Sequence, residues 1–213
     1  MLSKEELRSF IDHTNLSPSA TSQDIRKLCK EAIENRFKAV CVNSCYTQLA
    51  STLLKNTPVL VCTVVGFPLG AMATEAKAYE AEIAVQNGAQ EIDMVQNIGI
   101  LKEGSYEYLQ EDIEAVVNQG VTTKVILETC LLTREEIAAA CTIAAKAKAH
   151  FVKTSTGYST GGATIEAVKL MKETVPHLKV KAAGGIKTFE QARVLIDAGA
   201  DRIGASRSLD IIK

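Results

Sequence analysis

Eight short runs of apolar, largely β-branched residues recur along the chain, each followed by a longer segment of helical period. No other feature restricts the fold as much, because this alternation is how parallel strands joined by helical crossovers read in sequence. The runs fall at 10–14, 39–43, 59–66, 91–95, 124–129, 150–155, 179–184 and 202–206. Most are apolar nearly throughout, as expected of strands covered on both faces.

The segments between them carry helix starts and apolar stripes. Thr21 with Asp24, Thr133 with Glu136 and Thr188 with Gln191 have capping-box spacing, in which the third residue on answers the backbone N–H of the cap. Ile25, Leu28, Cys29, Ala32 and Ile33 then form one stripe. Leu109, Ile113, Val116 and Val117 repeat that register, as do Ala192, Leu195 and Ile196. Gly88 and Gly199 stand where helices close and turn back into strands, glycine supplying left-handed backbone. Eight strands and about eight helices in 213 residues leave only short loops, so the expected fold class is α/β: a compact (β/α)8 TIM barrel forming one domain over residues 1–213. An open doubly wound sheet is the alternative. Against it, no GxGxxG follows the first run, and Leu16-Ser17-Pro18 makes a poor dinucleotide turn.

Composition narrows the function. Lys plus Arg total 24 against 25 Asp plus Glu, a formal charge of -1 that gives no pull on nucleic acid or anionic lipid. The first ten residues carry charges where a secretory signal needs an apolar core, and the longest apolar stretch, 59–73, is broken by Thr63, Gly66, Pro68 and Gly70. Neither export nor a membrane span is expected. Six cysteines in a chain that is neither small nor secreted are expected to be reduced cytoplasmic thiols. Cys41 and Cys45 stand four apart with no CxxC, and His13, His150 and His177 are scattered singly, so no metal site is expected.

Charged residues inside apolar runs need a reason, and a barrel enzyme works at the C-terminal ends of its strands. Three stand out: Asp93, Lys153 and Lys181. They read either as a structural salt bridge or as chemistry. Against the first, Lys153 and Lys181 lie on consecutive runs at similar height, and adjacent ammonium groups are a poor way to build stability. They are a good way to make a nucleophile. A cation at about 4 Å in an effective dielectric near ~20 opposes protonation by about 4 kcal/mol, enough to bring a lysine from about 10.4 towards about 7, where its free amine attacks carbonyls. Lys124 opens the fifth run and is expected at the bottom of the barrel, and Lys187 is expected to be solvated beyond Gly185.

Glycines form a second constellation. Thr154-Ser155-Thr156-Gly157 with Gly161-Gly162 follows the sixth run, Gly184-Gly185 the seventh, and Gly204-Ala205-Ser206 ends the eighth. Loops there commonly hold a phosphate through backbone N–H groups, and Ser206 adds a hydroxyl.

These residues resemble the class I deoxyribose-phosphate aldolase family. The segments that carry the resemblance are Glu91-Ile92-Asp93-Met94-Val95, Lys124-Val125-Ile126-Leu127-Glu128-Thr129, Phe151-Val152-Lys153-Thr154-Ser155-Thr156-Gly157 and Val180-Lys181-Ala182-Ala183-Gly184-Gly185-Ile186. It implies that Lys153 forms a Schiff base, that Lys181 lowers its pKa and relays protons, and that Asp93 is acid and base through a water. It implies phosphate contacts at Gly157, Gly185, Gly204 and Ser206, with Thr156 and Gly184 adjoining, and pocket positions at Asp12, Thr14 and Phe67. Tyr158 stands where some members carry a phosphate-binding lysine, Arg207 where some have a second serine, and the sequence ends at Lys213 without the C-terminal tyrosine some members use. The expected partners are small phosphorylated sugar and aldehyde substrates and further copies of the chain, as dimer or tetramer, with no cofactor. Another Schiff-base barrel such as a transaldolase, and a catalytically dead phosphosugar-binding sensor, are the rival readings. Cys41, at the end of the second run, reads as a packed thiol or a pocket neighbour.

Overall fold

The computed structural model describes residues 2–213 as a closed barrel of eight parallel strands in sequence order, with β8 pairing back onto β1. The strands are β1 (Ile11–Asn15), β2 (Ala39–Val42), β3 (Leu60–Val65), β4 (Glu91–Val95), β5 (Thr122–Ile126), β6 (Phe151–Lys153), β7 (Lys179–Ala183) and β8 (Arg202–Ala205). Seven agree closely with the apolar runs. The fifth begins two residues ahead of its run, at Thr122, and ends early because Glu128 turns into left-handed backbone, φ 59° and ψ 60°.

The described residues hold ten α-helices: α1 (Lys4–Arg8), α2 (Ser22–Glu34), α3 (Thr47–Leu54), α4 (Thr74–Gln86), α5 (Ile98–Lys102), α6 (Tyr106–Val117), α7 (Arg134–Lys146), α8 (Ile165–Thr174), α9 (Phe189–Asp197) and α10 (Ser208–Ile212). The two beyond the expected eight are single short helices: α1, before the first strand, and α5, inserted after β4. The capping boxes of Thr21, Thr133 and Thr188 all form, each satisfying N–H groups that a helix start leaves without partners. Ile25, Leu28, Cys29 and Ala32 of α2 are buried on the barrel, whereas Ile33 stays 40% exposed at the edge of the stripe. Leu109, Ile113 and Val116 of α6 and Ala192 and Leu195 of α9 are likewise buried. Burying a side chain of Leu or Ile size stabilises by about 1.5–3 kcal/mol, so the ring of helices and the outward strand faces form the main core. The barrel interior is different: it is filled largely by charge. None of the helices is long and apolar enough to cross a membrane.

Candidate active site

Alternation along a strand sends every second side chain inward, and the three strand-interrupting charges all take that direction. Lys153, the last residue of β6, is the direct cross-strand partner of Lys181 on β7. Both ammonium groups donate to one oxygen of β4, Asp93 Oδ2, at 2.8 and 2.7 Å. Asp93 and Lys181 have no exposure, and Lys153 keeps 3% at the upper end of the group.

Lys124 corrects the expectation of a bottom-face charge. With β5 starting at Thr122, Lys124 is an inner residue of the strand, has no exposure, and donates to Asp93 Oδ1 at 2.9 Å. Two threonines ahead of the apolar run concealed that start. Asp93 is also not the only carboxylate facing the lysines. Asp12 of β1 accepts from Lys181 at 2.5 Å and from Arg202 of β8 at 2.5 Å, which puts it beneath the pocket and not in its wall.

These contacts fix charge states. Burial alone would raise the Asp93 carboxyl, but Lys124, Lys153 and Lys181 together hold it well below the usual carboxylate range. Burial opposes the Asp12 charge too, and Lys181 and Arg202 keep it low. Lys181 is raised: burial works against its charge, and the Asp12 and Asp93 carboxylates outweigh that. It is a permanent cation beside Lys153.

Cys41 Sγ, Cys62 Sγ and an Asp93 oxygen lie within 4.8 Å of one another, close enough to ligate an ion. Their surroundings do not fit one. Asp93 already accepts from three ammonium groups, and Lys124 Nζ stands 3.3 Å from Cys62 Sγ, whose thiol burial pushes well up. Cys41 is fully buried with its sulfur 4.0 Å from Asp93 Oδ2, in a small apolar group with Leu16, Cys62 and Val64.

Above Lys153 a cavity of roughly 380 Å³ opens between the C-terminal ends of β6, β7, β8 and β1. Thr14, Thr156, Gly157, Gly184, Gly185, Gly204 and Ser206 line it with Lys153, as expected for the binding residues. Phe67 does not; it packs on the Leu16 and Cys41 group and meets the Tyr158 ring edge-on at 5.4 Å. Tyr158 Oη donates to Leu16 O at 2.7 Å, tying the β6 loop across the mouth to the β1 loop. Two glycines have specific duties. Gly184 has φ +91°, and a Cβ there would stand 3.0 Å from Gly162 Cα, so the crossing of two loops under the cavity requires glycine. A Cβ on Gly204 would stand 3.0 Å from Lys181 Cε, so this glycine also makes room for the lysine inside the barrel.

Three further residues belong to the site. Lys187 and Arg207 are exposed yet line the cavity, bringing two cations to its glycine-rich side; Arg207 Nε also donates to Asp210 at 2.8 Å. In the sequence Lys187 reads only as a solvated loop residue and Arg207 only as a departure from a serine that some family members carry, so neither is expected there to bring a cation to the cavity. Glu128 is buried, and its carboxylate accepts from Thr156 N at 3.3 Å and from Thr156 Oγ1, bracing the loop that carries Gly157. A non-glycine residue in left-handed backbone leaves no mark in the sequence.

Comparison with known proteins gives one consistent result. The family model described as DeoC/LacD family aldolase matches residues 8–212. The deoxyribose-phosphate aldolase of Finegoldia magna is 58% identical over 211 residues, covering 98% of this chain and 99% of its own. That of Clostridium novyi is 56% identical, covering 97% of this chain and 95% of its own. The solved structure of the Aeropyrum pernix deoxyribose phosphate aldolase, described as a unique tetramer, superposes with a TM-score of 0.91 at 34% identity, covering 99% of this chain and 91% of that one.

Proposed function

Because the chain belongs to the DeoC/LacD family of aldolases, we propose that it reversibly cleaves 2-deoxy-D-ribose 5-phosphate to D-glyceraldehyde 3-phosphate and acetaldehyde through a Schiff base on Lys153. The single observation that carries this reading is the placement of Lys153: among the lysines of the buried charge cluster it alone lines the cavity, with a permanent cation as its cross-strand neighbour.

The open-chain sugar enters with its aldehyde towards Lys153 and its phosphate towards Gly185, Ser206 and the two exposed cations. The free amine adds to C1, and loss of water leaves an iminium, which is the electron sink. Removal of the proton from the C3 hydroxyl then breaks the C2–C3 bond, its electron pair moving into an enamine, and glyceraldehyde 3-phosphate leaves. The enamine takes a proton at C2, and hydrolysis of the resulting iminium frees acetaldehyde and restores the amine. Asp93, 2.8 Å from the Lys153 nitrogen, is the group placed to hold and return protons, by way of a water. Lys181, with Lys124, keeps Asp93 ionised. The iminium supplies the polarisation that a Lewis acid supplies in metal-dependent aldolases.

The reading includes a cytoplasmic setting, supported by six cysteines that are all free, and a homo-oligomer, supported by the tetramer of the Aeropyrum pernix relative. The test is product analysis. Purified protein given 2-deoxyribose 5-phosphate should yield equal amounts of acetaldehyde and glyceraldehyde 3-phosphate; no cleavage of this aldose, with release of a three-carbon ketose fragment from a ketose phosphate instead, would favour the transaldolase-like alternative.

A further inference from the structure

Six of the charges inside the barrel close on themselves. Arg202 donates to Asp12 at 2.5 Å and Asp12 accepts from Lys181 at 2.5 Å. Lys181 donates to Asp93 at 2.7 Å, and Asp93 accepts from Lys124 at 2.9 Å. Lys124 Nζ stands 2.7 Å from Glu91 Oε2, and Glu91 Oε1 accepts from Arg202 Nη2 at 2.6 Å, which completes the ring. Its members alternate in sign, three cations and three anions, so it is neutral when every member is ionised. Lys153 hangs from Asp93 outside the ring as a seventh charge without an anion of its own.

The chain's remaining strands add no compensating charge: β2 and β3 contribute the thiols of Cys41 and Cys62. Beneath the ring the Phe151 ring stands 5.8 Å from Lys124 Nζ and 5.7 Å from the Arg202 guanidinium, with Lys179 5.6 Å away on its solvent side. Counting the strand charges alone, the interior holds one cation more than anions; the nearest further carboxylate, Glu128 after β5, is buried and takes its hydrogen bonds from Thr156, not from a cation. Lys153 is the lysine of the group that lines the cavity, and it meets the ring only at Asp93.

We propose that Arg202 and Glu91, at the floor of the barrel and out of reach of any substrate in the cavity, are positioning residues that set, through the closed ring, the pH at which Lys153 becomes a free amine. The inference rests on Lys153 being the amine that attacks the aldehyde. It makes a prediction that a merely structural ion pair does not: removing either partner of the same contact has opposite effects. Arg202→Met takes a cation from the ring, so the ring becomes negative and holds the Lys153 proton. Glu91→Gln takes an anion, and the proton leaves more readily. At separations of several ångströms and an effective dielectric near ~20, each change is worth about one pH unit.

The experiment records, against pH, both kcat/KM and the rate at which borohydride traps acetaldehyde on the full-length protein, with the modified lysine located by peptide mass spectrometry. For Arg202→Met the ascending limb should move up by about one unit, with trapping at neutral pH roughly tenfold slower. For the near-isosteric Glu91→Gln it should move down by about one unit. The double variant, which restores the charge balance, should return close to the parent. Limbs that stay in place, or move in the same direction, while the adduct remains on Lys153 would overturn the proposal alone; an adduct absent from Lys153 in the parent would overturn the Schiff-base assignment with it. If Arg202→Met does not fold, Glu91→Gln decides by its own direction.

Discussion

Lys153 and Lys181 are cross-strand partners whose ammonium groups share one acceptor, Asp93 Oδ2, at 2.8 and 2.7 Å. Replacing Lys181 with Leu keeps bulk and deletes the cation, so the ascending limb of kcat/KM should move to higher pH and neutral activity should fall by roughly two to three powers of ten. The Asp12 contact adds a second consequence. Asp12 loses one of its two cations, and breaking a buried pair commonly costs about 3–5 kcal/mol, so the variant should also unfold at lower denaturant. An unshifted limb with near-normal neutral activity would show that Lys181 only braces the barrel.

The phosphate side of the cavity makes a separate prediction. Inorganic phosphate should compete with the phosphorylated substrate, and Ser206→Asp, which adds a like charge, should raise KM far more than it lowers kcat. Lys187→Ala and Arg207→Ala should each raise KM for the phosphorylated sugar several-fold, more at low ionic strength, while leaving the rate of acetaldehyde trapping unchanged. Equal turnover of 2-deoxyribose and its 5-phosphate would remove the phosphate site from the account.

Much of this was legible in the chain because parallel barrels write their strands as apolar runs and a charge inside such a run cannot hide. Asp93, Lys153 and Lys181 were found that way, and their shared height followed from consecutive runs. Lys124 was misplaced because Thr122 and Thr123 extend β5 without adding apolar character, which shifted the apparent start of the strand and moved an inner lysine to the floor. The ring through Asp12, Arg202 and Glu91 depends on which charges meet across the barrel, a relation between distant strands that periodicity does not encode. Glu128 depends on one backbone angle.

Metal removal should leave turnover unchanged, since three ammonium groups already occupy the Asp93 oxygens of the Cys41, Cys62 and Asp93 group. Loss of activity in a chelator, restored by a divalent ion, would contradict the Schiff-base route.

The charge ring also shapes stability against pH. Asp12 and Asp93 are held low in the fold, so the stability they confer is complete above their unfolded values near ~4 and is lost as pH falls through their folded values. Lys124 and Lys181 are raised, so their contribution is complete below about 10.4 and is lost only as pH climbs through their folded values. Burial lowers His13 despite its Glu31 partner, which adds a smaller loss beginning below about 6.5. The buried thiols of Cys29, Cys62 and Cys141 are pushed up, so stability also falls once unfolded thiols ionise above about 8.5. Denaturant midpoints should therefore be level from about pH 7 to 8, decline gently on either side, and collapse under about pH 4; His13→Phe should remove the gentle acidic step and keep the collapse. A midpoint that rises on acidification from pH 7 would refute this assignment.

The most direct test of the central claim is covalent capture. Protein incubated with acetaldehyde and borohydride, digested and sequenced by mass spectrometry, should carry one two-carbon adduct, on the peptide containing Lys153, and Lys153→Met should carry none while keeping its fold. An adduct on Lys124, Lys181 or Lys187 instead, or catalytic turnover by Lys153→Met, would contradict it.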